Sequence, residues 1–153
     1  MQIPLAPELK RYVSERNVMK IRKFQKHDLS SLVELWNVVF PDSPSHNEPS
    51  TVIEAKLGVD DFIFLAENNG KLVGACMAGY DGHRGWLYAV AVLKEYRRSS
   101  TGSKLVKYAM QSLKEIGCIK VNLQIRSTNT EVAAFYESLG FFVEDRLSMG
   151  SFI

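Results

Sequence analysis

Between Trp86 and Ile116 the chain changes character twice, and this double change constrains the fold more than any other feature. Trp86-Leu87-Tyr88-Ala89-Val90-Ala91-Val92-Leu93 is an unbroken apolar run. Its continuity predicts a strand covered on both faces and therefore central in its sheet. From Gly102 onward, Leu105, Val106, Ala109, Met110, Leu113 and Ile116 recur at helical spacing, with Lys104, Lys107, Lys114 and Glu115 off the stripe. That pattern predicts an amphipathic helix, with Gly117 as its stop. Between the two lies Arg97-Arg98-Ser99-Ser100-Thr101-Gly102-Ser103. A small-residue turn that opens a helix is an anion cradle, because the first helical N–H groups lack intrahelical partners and the helix dipole favours negative charge. Arg97 and Arg98 add positive charge at its edge.

The next alternating stretch, residues 119–125, predicts a strand. A helix joins it to the central strand, so the two should be parallel through a right-handed crossover. Upstream, residues 5–16 predict a short helix in an N-terminal extension, 1–18. A single domain, 19–153, follows, opening with a strand over 19–24. Asp28 reads as the N-cap of a helix carrying Leu32, Val33, Leu35, Trp36, Val39 and Phe40, which Pro41 ends. Residues 42–49 predict a loop and 51–57 a short helix. Residues 62–66 and 71–80 predict strands joined by a tight turn at Asn68-Asn69-Gly70, and Asp81-Gly82-His83-Arg84-Gly85 turns the chain into the central strand. A last helix is predicted over 129–138, ending at Gly140, followed by strands over 141–144 and 146–152.

Composition excludes more than it assigns. With 153 residues and 46% apolar content, the chain can bury one full core. The 19 basic and 17 acidic residues are mixed along it, which gives no reason to expect nucleic acid or a membrane as partner. No run approaches the roughly 18 apolar residues of a span and the start lacks a secretory core, so a cytoplasmic protein is expected. Cys76 and Cys118 have neither metal-ligand nor redox spacing and read as buried free thiols. His27, His46 and His83 are too scattered for a zinc site.

Two blocks carry a family resemblance over residues 19–149. Val90-Ala91-Val92-Leu93-Lys94-Glu95-Tyr96-Arg97, continuing through Ser100 to Gly102, is similar to the core signature of the GCN5-related N-acetyltransferase (GNAT) family. That signature runs Arg or Gln, two variable residues, Gly, one variable residue, then Gly or Ala. Asn129 followed by Phe135-Tyr136-Glu137-Ser138-Leu139-Gly140-Phe141 resembles the family's second hallmark. The hairpin Tyr80-Asp81-Gly82-His83-Arg84-Gly85 also looks like one branch of small bacterial acetyltransferases. Two positions depart from the signature: Ser100 stands where it has Gly, and Arg98 where Gly is common. Glycine there lets backbone approach the pyrophosphate without a Cβ, and a serine hydroxyl can itself donate to phosphate.

The resemblance implies an acyl-CoA N-acyltransferase fold of mixed α/β class. It consists of a mostly antiparallel twisted sheet of six to seven strands, with a splayed parallel pair and about four flanking helices. It implies acetyl-CoA as co-substrate, no metal, and direct transfer to a primary amine of a small molecule or peptide. Pyrophosphate would rest on Arg97, Arg98, Ser99, Ser100, Thr101, Gly102 and Ser103. Pantetheine would pair with the backbone of Val90, Ala91 and Val92, where a bulge parts the strands and an N–H can meet the oxyanion. Tyr136 would protonate the departing thiolate, and Asn129 would bind cofactor or cap its helix. Gln124 occupies the strand position where ribosomal-protein acetyltransferases of the family carry Glu, which counts against that acceptor. Tyr88, Asp81, His83 or a water chain remain as base. An acceptor pocket is expected from Trp36, Phe40, His46, Trp86 and Tyr88, with the terminal hairpin near Ser148. A homodimer is expected by the same analogy. The departures at Arg98 and Ser100 motivate a second reading, a cofactor-sensing or partner-binding module with little turnover.

Overall fold

The computed structural model describes residues 18–153, and the helix expected over 5–16 lies outside the described residues. Two compact units are distinguished, one ending at Asn122 and the other Leu123–Ile153. Each is described by itself.

The first unit is built on one sheet. Strands β1 (Met19–Lys23), β2 (Ile63–Asn68), β3 (Lys71–Tyr80), β4 (Gly85–Val92) and β5 (Val121–Asn122) lie side by side in chain order. The first three pairings are antiparallel and β4–β5 is parallel. Helices α1 (Leu29–Val39) and α2 (Pro49–Leu57) connect β1 to β2, and α3 (Thr101–Glu115) connects β4 to β5. Alternate strand residues serve opposite faces. Ile63, Leu65, Ala75, Met77 and Ala91 pack with Leu32, Leu35 and Trp36 of α1 and Ile53 of α2. Phe64 points the other way, with its ring edge-on to Tyr108 of α3 at 5.5 Å.

Local chemistry sets the ends. Asn69 and Gly70 take φ of 51° and 80°, the pair of left-handed residues a tight hairpin needs. Helix α3 stops as expected: Gly117 has φ 98°, Cys118 N donates to Leu113 O and Gly117 N to Lys114 O. Helix α2 begins two residues before the expected start. Pro49 fits the first turn, and the Glu48 carboxylate accepts the N–H of Ser50 and Thr51 at 3.2 and 2.9 Å. The Ser50 hydroxyl, which donates to the same carboxylate at 2.7 Å, and then those N–H bonds hold the Glu48 pKa down to about 2.

Asp28 stands at the expected N-cap position of α1. It precedes α1 but makes no side-chain cap to it. Its carboxylate instead takes both Nη groups of Arg22, at 2.7 and 2.8 Å, and the backbone N–H of Gln25. Arg22 also reaches Glu67, so this buried network ties β1 to β2 and to the turn before α1.

The second unit holds α4 (Thr130–Ser138), capped by Asn129, whose Oδ1 accepts the Val132 N–H at 3.2 Å. Two expectations fail here. The strand predicted over 119–125 is reduced to Val121–Asn122, and no strand forms over 141–144 or 146–152 among the described residues. The sheet therefore has five strands rather than six or seven. Residues 124 and 148 meet through side chains, Gln124 Nε2 donating to Ser148 Oγ at 2.6 Å, without a backbone ladder. Glu144 and Asp145 break the apolar alternation, and Phe142, Val143, Leu147 and Met149 stay exposed.

Candidate active site

The central strand carries the first element of the site. Ala75 pairs with Ala91 and Met77 with Tyr88, so Ala89 and Val90 together face the single residue Cys76. That extra residue is a β-bulge, and Ala89 takes φ 46° to make it. A non-glycine residue in this conformation stores strain that the surrounding structure must hold. The parallel ladder of β4 with β5 ends at Trp86↔Asn122. Beyond Trp86, the backbone groups on that edge of β4 have no ladder partner among the described residues. Bulged, half-uncovered backbone thus lies along Val90, Ala91 and Val92. The burial is uneven as well. Leu87, paired with Ala78, and Ala91, paired with Ala75, are buried on opposite faces, so both faces are covered as continuity predicts, but Tyr88, on the Ala91 face, is 44% exposed.

The second element is the turn from β4 into α3. Arg98 and Ser100 both have φ 63°, and Thr101 begins the helix. A backbone that visits the left-handed region just before a helix turns successive N–H groups into one concavity, an anion nest. The free N–H groups of the first turn, Thr101 to Ser103, open on the same side of the sequence. Ser99 bonds to Tyr96 O and lies 2.9 Å from Thr101 Oγ1, while the Ser100 hydroxyl has no partner among the described residues. Arg97 Nε donates to Val92 O at 3.1 Å, tying the turn to the end of β4. The two positions that depart from the family glycines are therefore the two that need positive φ.

In the second unit, Tyr136 is buried, flanked edge-on by Phe135 at 5.0 Å and Phe141 at 5.4 Å. Phe141 N donates to Tyr136 O and Gly140 takes φ 91°, so the helix stop fixes the position of this ring.

The expected acceptor residues divide. Trp36 is 3% exposed and belongs to the core cluster, with its indole N–H unpaired among the described residues. Phe40 and Tyr88 are partly exposed, Trp86 is half-buried, and His46 stands exposed in the loop before α2. Trp86 and Tyr88 pair with Gly79 and Met77 and share their face of the sheet. Of the expected bases, Tyr88 has its pKa raised by burial and by Asp81 and Asp60. It therefore stays protonated and is not available as a base. Asp81 has its pKa lowered by the N–H groups of Arg84 and His83, which occupy its carboxylate. Both Cys76 and Cys118 are free and buried. Burial pushes the Cys76 thiol up to about 12, which leaves it unreactive. Among the described residues no group of three His, Cys, Asp or Glu side chains converges on a metal position, and no helix is long and apolar enough to cross a membrane. The one residue of this site that sequence reasoning missed is Ala89, since alanine carries no turn signal.

Comparison with known proteins defines the class. The model of the acetyltransferase (GNAT) family matches residues 29–141. An acetyltransferase of Yersinia pestis is 38% identical over 133 residues, 86% of this chain and 94% of its own length. A similar protein of Pectobacterium atrosepticum, also named an acetyltransferase, is 36% identical over the same shares. Among solved structures, aminoglycoside N-acetyltransferase AAC(6')-Iy in complex with CoA superposes with a TM-score of 0.77 at 20% identity, covering 96% of this chain and 98% of that one. The ribosomal-protein-S18-alanine N-acetyltransferase of Escherichia coli gives 0.71 at 22% identity, covering 80% and 77%. This is an N-acetyltransferase fold, and acyl transfer is its chemistry. The chain belongs to the GNAT acetyltransferase family.

Proposed function

We propose that the protein transfers an acetyl group from acetyl-CoA to a primary amine of a small molecule or peptide, directly within a ternary complex, with residues 19–153 acting as one catalytic domain. The observation that carries this reading is the pairing of a bulged β4 with an anion nest at its carboxyl end, both on one strand-to-helix connection. The nest at Arg97 to Ser103 would hold the pyrophosphate. The open edge of Val90 to Val92 would pair with the pantetheine amides. A bulge N–H would receive the carbonyl oxygen as charge develops on it.

The amine nitrogen attacks the thioester carbonyl carbon, and collapse breaks the carbon–sulfur bond. Tyr136 donates its phenolic proton to the departing thiolate. The amine nitrogen gives up two protons, one as the amide forms, which restores the Tyr136 hydroxyl, and one before attack, since a pKa of about 10 keeps it charged at neutral pH. With Tyr88 held protonated and Asp81 Oδ1 taken by two backbone N–H groups, a water chain is the reading left for that step. Gln124 cannot act as a base, and it is already bonded to Ser148.

Tyr136→Phe tests the assignment, because it keeps the edge-on packing and removes only the hydroxyl. Turnover followed by thiol release should fall about a hundredfold, the usual worth of a positioned acid. Acetyl-CoA affinity should not change. Unchanged turnover would remove Tyr136 from the mechanism. Size-exclusion light scattering would test the expected homodimer.

A further inference from the structure

The turn from β3 to β4 at residues 80–85 is held by more bonds than a connection needs. Asp81 Oδ1 accepts the N–H of His83 and of Arg84, both at 2.7 Å. Asp81 N donates to Arg84 O at 3.3 Å. The Tyr80 hydroxyl reaches Gly82 O at 3.1 Å and Gly117 O at 3.4 Å, which ties the turn to the end of α3. At Gly85 the packing is so close that a Cβ would stand 2.7 Å from Cys118 Sγ. Backbone fixed this firmly presents its side chains in one place.

Arg84 is the side chain it presents. Its Nη1 donates to His83 O at 2.9 Å and lies 3.4 Å from His83 Nδ1, so this end of the guanidinium is held against one residue. The Nε–H and Nη2 hydrogens have no partner among the described residues, and no carboxylate there forms an ion pair with this guanidinium. The Nε–Nη2 edge is the planar fork that matches two oxygens of a carboxylate or a phosphate. Steadying an arginine before its ligand arrives removes most of the ordering cost of binding.

We propose that residues 80–85 form a built oxyanion receptor in which Arg84, steadied by His83, binds a carboxylate or phosphate group carried by the acceptor. The word acceptor rests on the N-acetyl transfer reading above; the receptor itself does not. Gly85 and Ala89 are four strand residues apart, about 13 Å at about 3.3 Å each. The acceptor is therefore an elongated molecule with its anionic group roughly that far from its reactive amine, such as an extended amino-acid derivative or a short acidic peptide.

The receptor is tested on the intact protein by following the His83 imidazole signals in NMR during titration with glutarate and with inorganic phosphate, at matched ionic strength. Saturable shifts are expected in the wild type and in Lys107→Ala, an exposed α3 variant of the same charge change. They should be lost in Arg84→Ala and weakened in His83→Ala, read there from the Arg84 Nε–H. The tighter of the two anions identifies the group. Absence of any saturable shift overturns the receptor, whatever amine the enzyme acetylates. The acceptor link is tested separately, with an ω-amino acid and the matching amine that lacks the acid. A preference of at least about tenfold in kcat/KM for the acid-bearing amine, abolished in Arg84→Ala, supports it. Equal use of the two overturns it while leaving the receptor standing.

Discussion

The two turns at the ends of β4 solve opposite problems. At its amino end, residues 80–85 place glycine at the left-handed position Gly82, φ 89°, and at the close approach of Gly85. The backbone N–H groups of Asp81, His83, Arg84 and Gly85 are all bonded, and the Tyr80 hydroxyl reaches Gly82 O and Gly117 O. At its carboxyl end, Arg98 and Ser100 occupy left-handed positions that glycine would fill without strain, and the helix N–H groups beyond them are left open. Strain and open backbone donors collect in the turn proposed for the pyrophosphate, whereas the other turn satisfies its backbone and leaves open only the Nε–Nη2 edge of the Arg84 side chain. A site that must receive a ligand keeps its donors free, and a scaffold satisfies them.

The largest test of that contrast is Gly85→Ala. Its Cβ would meet Cys118 Sγ at 2.7 Å, Leu113 Cδ1 at 3.1 Å and Val121 Cγ2 at 3.2 Å. A loss of about 2–3 kcal/mol in chemical denaturation is expected. A neutral result would show that the amino-end turn is not rigid. The opposite sign is expected at the carboxyl end. Arg98→Gly and Ser100→Gly should each stabilise the protein by about 0.5–1 kcal/mol, the relief of a left-handed non-glycine residue less the added freedom of the unfolded chain. Loss of stability in either would mean that the side chain makes up for the strain.

The smallest effect is a pH difference between the turns. The Asp81 pKa is depressed by the bonds it accepts, so its contribution is full above the ordinary value of 3.8 and is lost as pH falls through the lower folded value. The amide signals of His83 and Arg84 should move together in that acid range, while those of Ser99 to Ser103 stay still. Simultaneous movement of both turns would deny that they are independent.

Much of this arrangement was legible beforehand because its signals are local. The β3 strand, the Asn69–Gly70 turn, the stops at Gly117 and Gly140 and the cap at Asn129 each follow from one or a few neighbouring residues. Asp28 stands at the N-cap position its type suits, but Arg22 and Gln25 claim its carboxylate, a long-range demand that residue type does not show. The bulge at Ala89 left no mark on residue type, since the register of β3 against β4 creates it. The expected strand over 119–125 had the right alternation, yet alternation describes the faces of a strand and not whether a neighbour pairs with it. Only Gly85 and Trp86 offer that pairing. Trp36 shows the limit for the acceptor pocket, where an aromatic residue suited to a pocket wall closes the core instead.

The central claim is that the turn from Arg97 to Ser103 holds the pyrophosphate of the acyl donor. Calorimetric titration of the wild-type protein with acetyl-CoA and with acetylpantetheine, which lacks the pyrophosphate and nucleotide, tests it most directly. The account predicts measurable binding of acetyl-CoA and a loss of at least about a hundredfold for acetylpantetheine, with Ser100→Gly binding acetyl-CoA more tightly. Equal affinity for the two ligands, or no heat with acetyl-CoA at millimolar concentration, would contradict it.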